Sequence, residues 1–213
     1  MKRIWIYTGG ELGEWAAALP AEGDIIIGAD RGAVFLIRHG IKPDLALGDF
    51  DSITEEEWSL LVEANIAIER FDPVMKDYSD TELAFQRAAG MAPDEIVIVG
   101  ALGTRFDHSL SNVHLLRKSL ELGIRCRIVD DHNEIRLIDR ELTIANSDGR
   151  YTYISLLPLS LTVTGVTLEG FQYPLDYATL EIGQSLAVSN KLIQPSGIIR
   201  INSGLLLVIQ SRD

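Results

Sequence analysis

What most constrains this chain is a change of period part-way along it. Up to about residue 135, short Ile- and Val-rich runs alternate with segments of helical character. Residues 3–7, 24–29, 45–47, 66–71, 95–99 and 125–129 read as strands; 14–19, 32–39, 55–64, 81–90 and 108–122 read as the helices between them. Strands apolar on both faces and separated by helices imply a mostly parallel sheet covered on both sides. Thr54-x-x-Glu57 and Ser79-x-x-Glu82 have the spacing of capping boxes, and Gly40 and Gly123 sit where a helix ends in a left-handed residue. Beyond residue 135 the helical period disappears. Runs at 142–145, 151–157, 161–166, 179–182, 185–189, 198–201 and 205–210 are strand-like, and Gly, Pro, Asn and Ser clusters separate them. Such a pattern predicts an antiparallel sandwich or barrel. The expected architecture is a Rossmann-like α/β/α domain over 1–138 followed by a β-rich domain over 139–213.

Composition excludes some classes of function. The chain has 213 residues, 46% hydrophobic and 23% charged, as an ordinary globular protein has. A net charge of −12, from 31 acidic and 19 basic residues, argues against a nucleic-acid partner, which needs a basic surface to displace phosphate counterions. It suits a cationic ligand, although solubility alone also accounts for it. The single cysteine, Cys126, forms no internal disulfide and lies in an apolar stretch, which reads as a buried thiol in a reducing compartment. Met1–Trp5 runs into a strand without a signal-peptide h-region, and no apolar run reaches the length of a membrane span, so the expected location is cytoplasmic with no membrane contact.

The residues that carry chemistry gather where strands should end. Asp30 follows the second strand, Asp49 and Asp51 the third, Asp77 and Asp80 the fourth, and Asp107 the fifth. In an open α/β sheet ligands bind outside the carboxyl ends of the strands, so acids far apart in sequence would meet on one rim. Within Gly48-Asp49-Phe50-Asp51-Ser52, an extended backbone would turn both carboxylates to one side and Phe50 to the core, leaving oxygen ligands for Mg²⁺. A turn followed by a helix cap would use the same residues. Lys76-Asp77-Tyr78-Ser79-Asp80 is equally two-sided: Asp80 is a third metal carboxylate or a complement to a helix dipole, and Lys76 can reach phosphate. From Gly100 to His108 a strand, a glycine turn and a helix start follow one another. Backbone N–H groups and the Arg105 fork there suit an anion, while Asp107 also fits a plain N-cap. Gly9-Gly10 after the first strand could touch phosphate but reads first as a simple turn, and no serine-hydrolase elbow is present.

Taken in order, these segments resemble the thiamine pyrophosphokinase family. The likeness runs through Gly28-Ala29-Asp30-Arg31-Gly32, Pro43-Asp44, Gly48–Ser52, Lys76–Asp80 and Gly100–His108 leading to Asn112. It continues through Ser155–Leu159, Gly165, Gly170–Leu175 and Ser189-Asn190. Ser79 stands where many members have threonine, and the position of Lys76 varies between branches. The resemblance implies transfer of the diphosphate of ATP to the thiamine hydroxyl, in a homodimer joined through its β-rich halves with shared active sites. It implies Mg²⁺ on Asp49, Asp51 and Asp80, and ATP or its phosphates near Asp30, Arg31, Lys76, Gly103, Arg105, Asp107 and His108. Thiamine would lie near Ser189 and Asn190, with Asp80 or Asp77 as proton acceptor. Rival readings are transfer to a pterin alcohol, a non-catalytic nucleotide or vitamin sensor, and a metal-dependent phosphoesterase.

Overall fold

In a computed structural model, which describes residues 1–71, 78–145 and 149–213, the change of period becomes a division into two units, Met1–Asp131 and His132–Asp213. The first unit runs β1 (Arg3–Tyr7), α1 (Glu14–Ala17), β2 (Ile25–Ala29), α2 (Arg31–Arg38), β3 (Leu45–Gly48), α3 (Glu55–Glu63), β4 (Ala67–Arg70), α4 (Asp80–Ala89), β5 (Glu95–Val99), α5 (Phe106–Glu121) and β6 (Arg125–Val129). Its strands are all parallel, in the order β4-β3-β2-β1-β5-β6.

The central strands are apolar on both faces because helices cover both. Trp5, Tyr7, Val97 and Val99 pack with Ala16 and Leu36 in one core cluster. The alternate residues Ile4, Ile6, Ile96 and Ile98 are fully buried, and α4, which packs on β1, β2 and β5, buries Ala84, Phe85 and Ala88. Full burial of each such Ile or Phe stabilises the fold by about 1.5–3 kcal/mol. At the edge, β4 exposes Ala67 and Arg70, and the Arg70 guanidinium lies 4.8 Å above the Trp58 ring.

The two capping boxes and the two glycine helix ends follow the expected chemistry with one exception. Both halves of the Thr54–Glu57 box are made, and Gly40 and Gly123 close their helices at φ of 71° and 69°. At α4, Ser79 Oγ accepts from the Glu82 N–H at 3.2 Å, but the Glu82 carboxylate meets Lys118 of α5. That ion pair takes the place of the reciprocal half of the box.

The second unit comprises β7 (Asn133–Ile138), β8 (Glu141–Ala145), β9 (Tyr153–Pro158), β10 (Thr162–Glu169), β11 (Ala178–Glu181), β12 (Ser196–Arg200) and β13 (Leu206–Ser211). Antiparallel ladders join β7-β13-β9 and β11-β10-β12-β8. The inner faces of both ladders share one core containing Ile154, Leu156, Val163, Val166, Ile199, Leu206 and Val208, as in a sandwich.

Around the second unit, two features depart from the sequence reading. The unit boundary falls after Asp131 rather than near Asp139, because 133–138 is a strand pairing residue for residue with β13. Its Asn133, Glu134 and Arg136 hid it from a hydrophobic count. Glu134 is nonetheless buried, accepting from Arg136 Nε at 2.7 Å and Gln210 Nε2 at 3.0 Å. Residues 185–189, expected as a strand, form turns instead, and Ser189 takes a φ of 60°, far from the extended range of a regular strand. Among the described residues no helix is long and apolar enough to cross a membrane.

Candidate active site

The first unit's strand order has one switch point. From β1 the chain steps outward through β2, β3 and β4, then returns through α4 to place β5 on the other side of β1. Loops leaving β1 and β5 therefore diverge and open a crevice above the sheet. A cleft of about 480 Å³ lies there, lined from the β1, β2, β3 and β5 loops and from the first turns of α4 and α5.

Its floor is stitched from backbone. Thr8, Gly10 and Glu11 donate their N–H groups to the carbonyls of Val99, Gly100 and Leu102 at 2.9, 2.8 and 2.9 Å. A β-carbon on Gly10 would stand 2.2 Å from the Gly100 carbonyl oxygen, so only glycine lets these loops meet. A β-carbon on Gly32 would likewise stand 2.0 Å from the Tyr7 carbonyl oxygen, so this motif glycine seats α2 on β1. Two side chains one turn apart on α5 hold the other loop. Ser109 Oγ accepts from the Gly103 N–H at 3.1 Å, and the buried Asn112 donates to the Ala101 carbonyl at 2.7 Å. The sequence reading passed over Thr8 and Ser109 and took Gly9-Gly10 for a bare turn, yet all four line the cleft. The usable signal was the pairing of a Gly-rich turn after β1 with another after β5.

The rim is acidic and strained. Asp30 stands at the N-cap of α2 with φ 50° and ψ −120°, a conformation costly for an L-residue, and its side chain makes no cap bond. Ser52 Oγ donates to Asp30 Oδ2 at 2.5 Å, while Oδ1 is buried without a hydrogen-bond partner. Burial pushes the Asp30 carboxyl above its ordinary range, the Ser52 bond opposes the shift, and the charges of Asp80, Asp49 and Asp51 add to it. These four acids are therefore close enough to act on one another. The 48–52 segment is a turn rather than an extended run, with φ of 147° at Gly48 and 59° at Phe50. Phe50 still enters the core, its ring 5.3 Å from that of Trp58. Asp49 is buried and accepts the Asp51 N–H at 3.2 Å, whereas Asp51 and Asp80 line the cleft.

Opposite the acids, α5 begins at Phe106, two residues earlier than its pattern predicts, so Asp107 lies inside the first turn rather than at the N-cap. Arg105 Nη2 donates to Asp107 Oδ2 at 2.6 Å, in the open. This bond holds the Asp107 carboxyl below the usual carboxylate range and raises the guanidinium in turn. Of the expected site residues, Asp30, Arg31, Asp51, Asp80, Gly103, Arg105 and His108 all line the cleft. Lys76 and Asp77 lie outside the described residues. Among the described residues no three acidic, His or Cys side chains are already gathered around a common liganding point. The donor set nevertheless fits a hard divalent cation: carboxylate oxygens in mutual repulsion, one of them buried and unsatisfied.

Ser189 and Asn190 belong to the second unit. Asn190 is buried, its Oδ1 accepting from the N–H groups of Tyr173 and Lys191 at 3.0 and 2.8 Å and its Nδ2 donating to the Tyr173 carbonyl at 2.8 Å. The amide thus pins the 171–173 loop. The exposed Ser189 donates its N–H to Ser155 Oγ at 3.0 Å. A depression of about 270 Å³ beside them is lined by Tyr151, Thr152, Ile154, Lys191, Leu192 and Gln210.

Family models for the thiamin pyrophosphokinase catalytic domain and for its vitamin B1 binding domain match residues 17–128 and 140–206. The chain belongs to the thiamin pyrophosphokinase family. It is 38% identical to the thiamine pyrophosphokinase of Bacillus subtilis (strain 168) over 187 residues, 88% of this chain and 87% of that one. The crystal structure of thiamine pyrophosphokinase from B. subtilis superposes with a TM-score of 0.92 at 36% identity over the whole of both chains. That of the Geobacillus thermodenitrificans thiamin pyrophosphokinase gives 0.90 at 35% identity, covering 99% of this chain and 98% of that one. Within the thiamin pyrophosphokinase frame, the acids of the cleft, Asp30, Asp51 and Asp80, fall inside the segment matched by the catalytic-domain model, and Ser189 and Asn190 inside that matched by the B1-binding model.

Proposed function

We propose that this chain is a thiamine pyrophosphokinase that uses Mg²⁺ and transfers the diphosphate group of ATP to the hydroxyl of thiamine. The observation that carries the reading is the meeting of Asp30, Asp51 and Asp80 with Arg105 and the α5 N-terminus in one cleft at the switch point, in a member of this family. The hydroxyl oxygen of thiamine forms a bond to the β-phosphorus as the bond from that phosphorus to the α-bridging oxygen breaks. Thiamine diphosphate and AMP result, and the hydroxyl proton passes to a carboxylate, Asp80 on the rim or, from the sequence resemblance, Asp77. Asp49, Asp51 and Asp80 are the residues we assign to Mg²⁺, which when bound neutralises phosphate charge and orients the chain for in-line attack. Arg105 offers a planar donor fork to the phosphates, for which it would leave Asp107; Arg31, Gly103 and His108 complete the anion side, and Lys76 is assigned to phosphate from the sequence resemblance alone. Fixed positions and charges supply most of the acceleration in such transfers.

The acidic rim also suits the fixed positive charge of the thiazolium ring. We place thiamine against Ser189 and the loop that Asn190 pins. A second copy is the partner we infer, because the β-rich unit exposes Leu161, Ile182, Leu186, Val188 and Ile193. Cys126 is half-buried rather than fully buried, and desolvation of its thiol pushes the pKa up to about 12, which makes it unreactive; we infer a cytoplasmic location from the sequence.

The test is mass-spectrometric detection of products after incubation with ATP, Mg²⁺ and thiamine, with Asp51→Asn as control. Thiamine diphosphate and AMP appearing together, and lost in the variant, support the reading. ADP or phosphate with thiamine unchanged overturns it.

A further inference from the structure

Asp30 occupies a position where an aspartate ordinarily turns its carboxylate onto the free N–H groups of the helix that follows. It makes no such bond to α2. Its two oxygens are treated unequally: Oδ2 is held 2.5 Å from Ser52 Oγ, and Oδ1 is buried with no hydrogen-bond partner. Ser52 comes from the loop after β3 and Asp30 from the loop after β2, so the bond joins two rim loops and keeps the carboxylate off the helix end. Both residues line the cleft that also holds Asp51 and Asp80. A bare carboxylate oxygen, buried among other carboxylates, has lost its water without gaining a donor, and this arrangement is relieved by a proton or by a cation standing beside it.

We propose that Ser52 is a positioning residue for the divalent-cation site: by donating to Oδ2 it prevents Asp30 from capping α2 and reserves Oδ1 for the cation. Without the Ser52 hydroxyl, Asp30 is free to turn to the α2 N–H groups, which satisfies the helix and empties the site of a ligand. A merely structural Ser52 would behave differently, since its loss would lower stability and leave cation affinity alone. The inference rests on the metal-dependent reading above.

The experiment is a Mn²⁺ titration of the nucleotide-free full chain, followed by electron paramagnetic resonance of the free ion. Wild type, Ser52→Ala, Ser52→Thr, Asp30→Asn and the Ser52→Ala/Asp30→Asn pair are compared, with a melting curve for each. Ser52→Ala is expected to weaken Mn²⁺ binding about tenfold, the low end of what loss of a hydrogen bond behind a metal-holding group costs, with an unchanged or higher melting temperature. Ser52→Thr, which keeps the hydroxyl, restores affinity to within about twofold of wild type. In the pair, loss of the hydroxyl has no effect beyond that of Asp30→Asn, because Ser52 acts through Asp30. Wild-type uptake of Mn²⁺ with Ser52→Ala unchanged, or additive losses in the pair, overturns this inference alone. No uptake by wild type overturns it together with the metal-dependent reading.

Discussion

The two ends of the parallel sheet in the first unit are built from the same kinds of side chain and treat them in opposite ways. At the amino ends of β1, β5 and β6, Glu95 is buried but gripped by Arg3 Nε at 2.8 Å and Arg127 Nε at 3.2 Å. Asp24 beside it takes Trp5 Nε1 at 2.7 Å and Arg3 Nη1 at 3.5 Å. At the carboxyl ends, Asp30 is strained and unsatisfied at one oxygen, and it is raised in pKa by burial and by three neighbouring acids. One end matches every buried acid with a donor in hand. The other leaves acids in excess, which makes sense when the missing charge arrives with a ligand. Where a fold tolerates such a local cost, function is the place to look.

The largest effect expected from this contrast lies at the carboxyl end. Asp80→Asn keeps the shape of the rim and removes one charge, and kcat/KM should fall at least about 10³-fold, roughly 4 kcal/mol of transition-state stabilisation. The melting temperature should move by no more than about 2 °C, since only a first-turn helix charge is lost. A loss of activity below tenfold would remove Asp80 from the catalytic machinery. At the amino end the pattern should invert. Glu95→Ala leaves Arg3 and Arg127 facing each other in a partly buried site and should cost about 3 kcal/mol in urea unfolding. Its kcat should stay within about twofold of wild type. An inactive but fully stable Glu95→Ala protein would erase the distinction between the two ends.

How much of this was legible in the sequence differs along the chain for physical reasons. The parallel unit was readable because its strands are buried on both faces: Arg3–Tyr7 and Glu95–Val99 needed no tertiary knowledge to place. Alternation of strands and helices puts the strand ends on one rim, and with it the gathering of Asp30, Asp51 and Asp80, whereas the strand order that makes the switch point is set by tertiary pairing. Strand β7 was not readable, since Glu134 is buried through partners on its own strand and on β13 that local hydropathy cannot see. The turns at 185–189 were misread because Leu186 and Val188, apolar enough for a strand, are exposed. Thr8 and Ser109 were missed because what they do is hold loop carbonyls and N–H groups, an office that any hydroxyl can fill and no spacing announces. The bond that holds the Asp30 side chain was invisible for the same reason: its donor, Ser52, stands twenty-two residues away.

The smallest effect is the sharpest in sign. The folded-state pKa of Asp30 is raised above its ordinary value of 3.8, so the folded chain holds this proton more tightly than the unfolded one. Its contribution to stability is fully present below the unfolded pKa and is lost as pH rises through the raised folded value. In the metal-free protein at neutral pH the ionised Asp30 therefore opposes folding, and Asp30→Asn should melt higher than wild type. Allowing for solvent screening at an open cleft, the gain should be about 2 °C. It should shrink toward zero as pH falls through the raised folded value to the ordinary one of 3.8, by which the wild-type carboxyl has taken up its proton. Adding Mg²⁺ should then reverse the order, because the cation stabilises only the chain that binds it. A metal-free Asp30→Asn protein that melts lower than wild type at pH 7 would mean that the carboxyl end is as well satisfied as the amino end, and the contrast between them would fall.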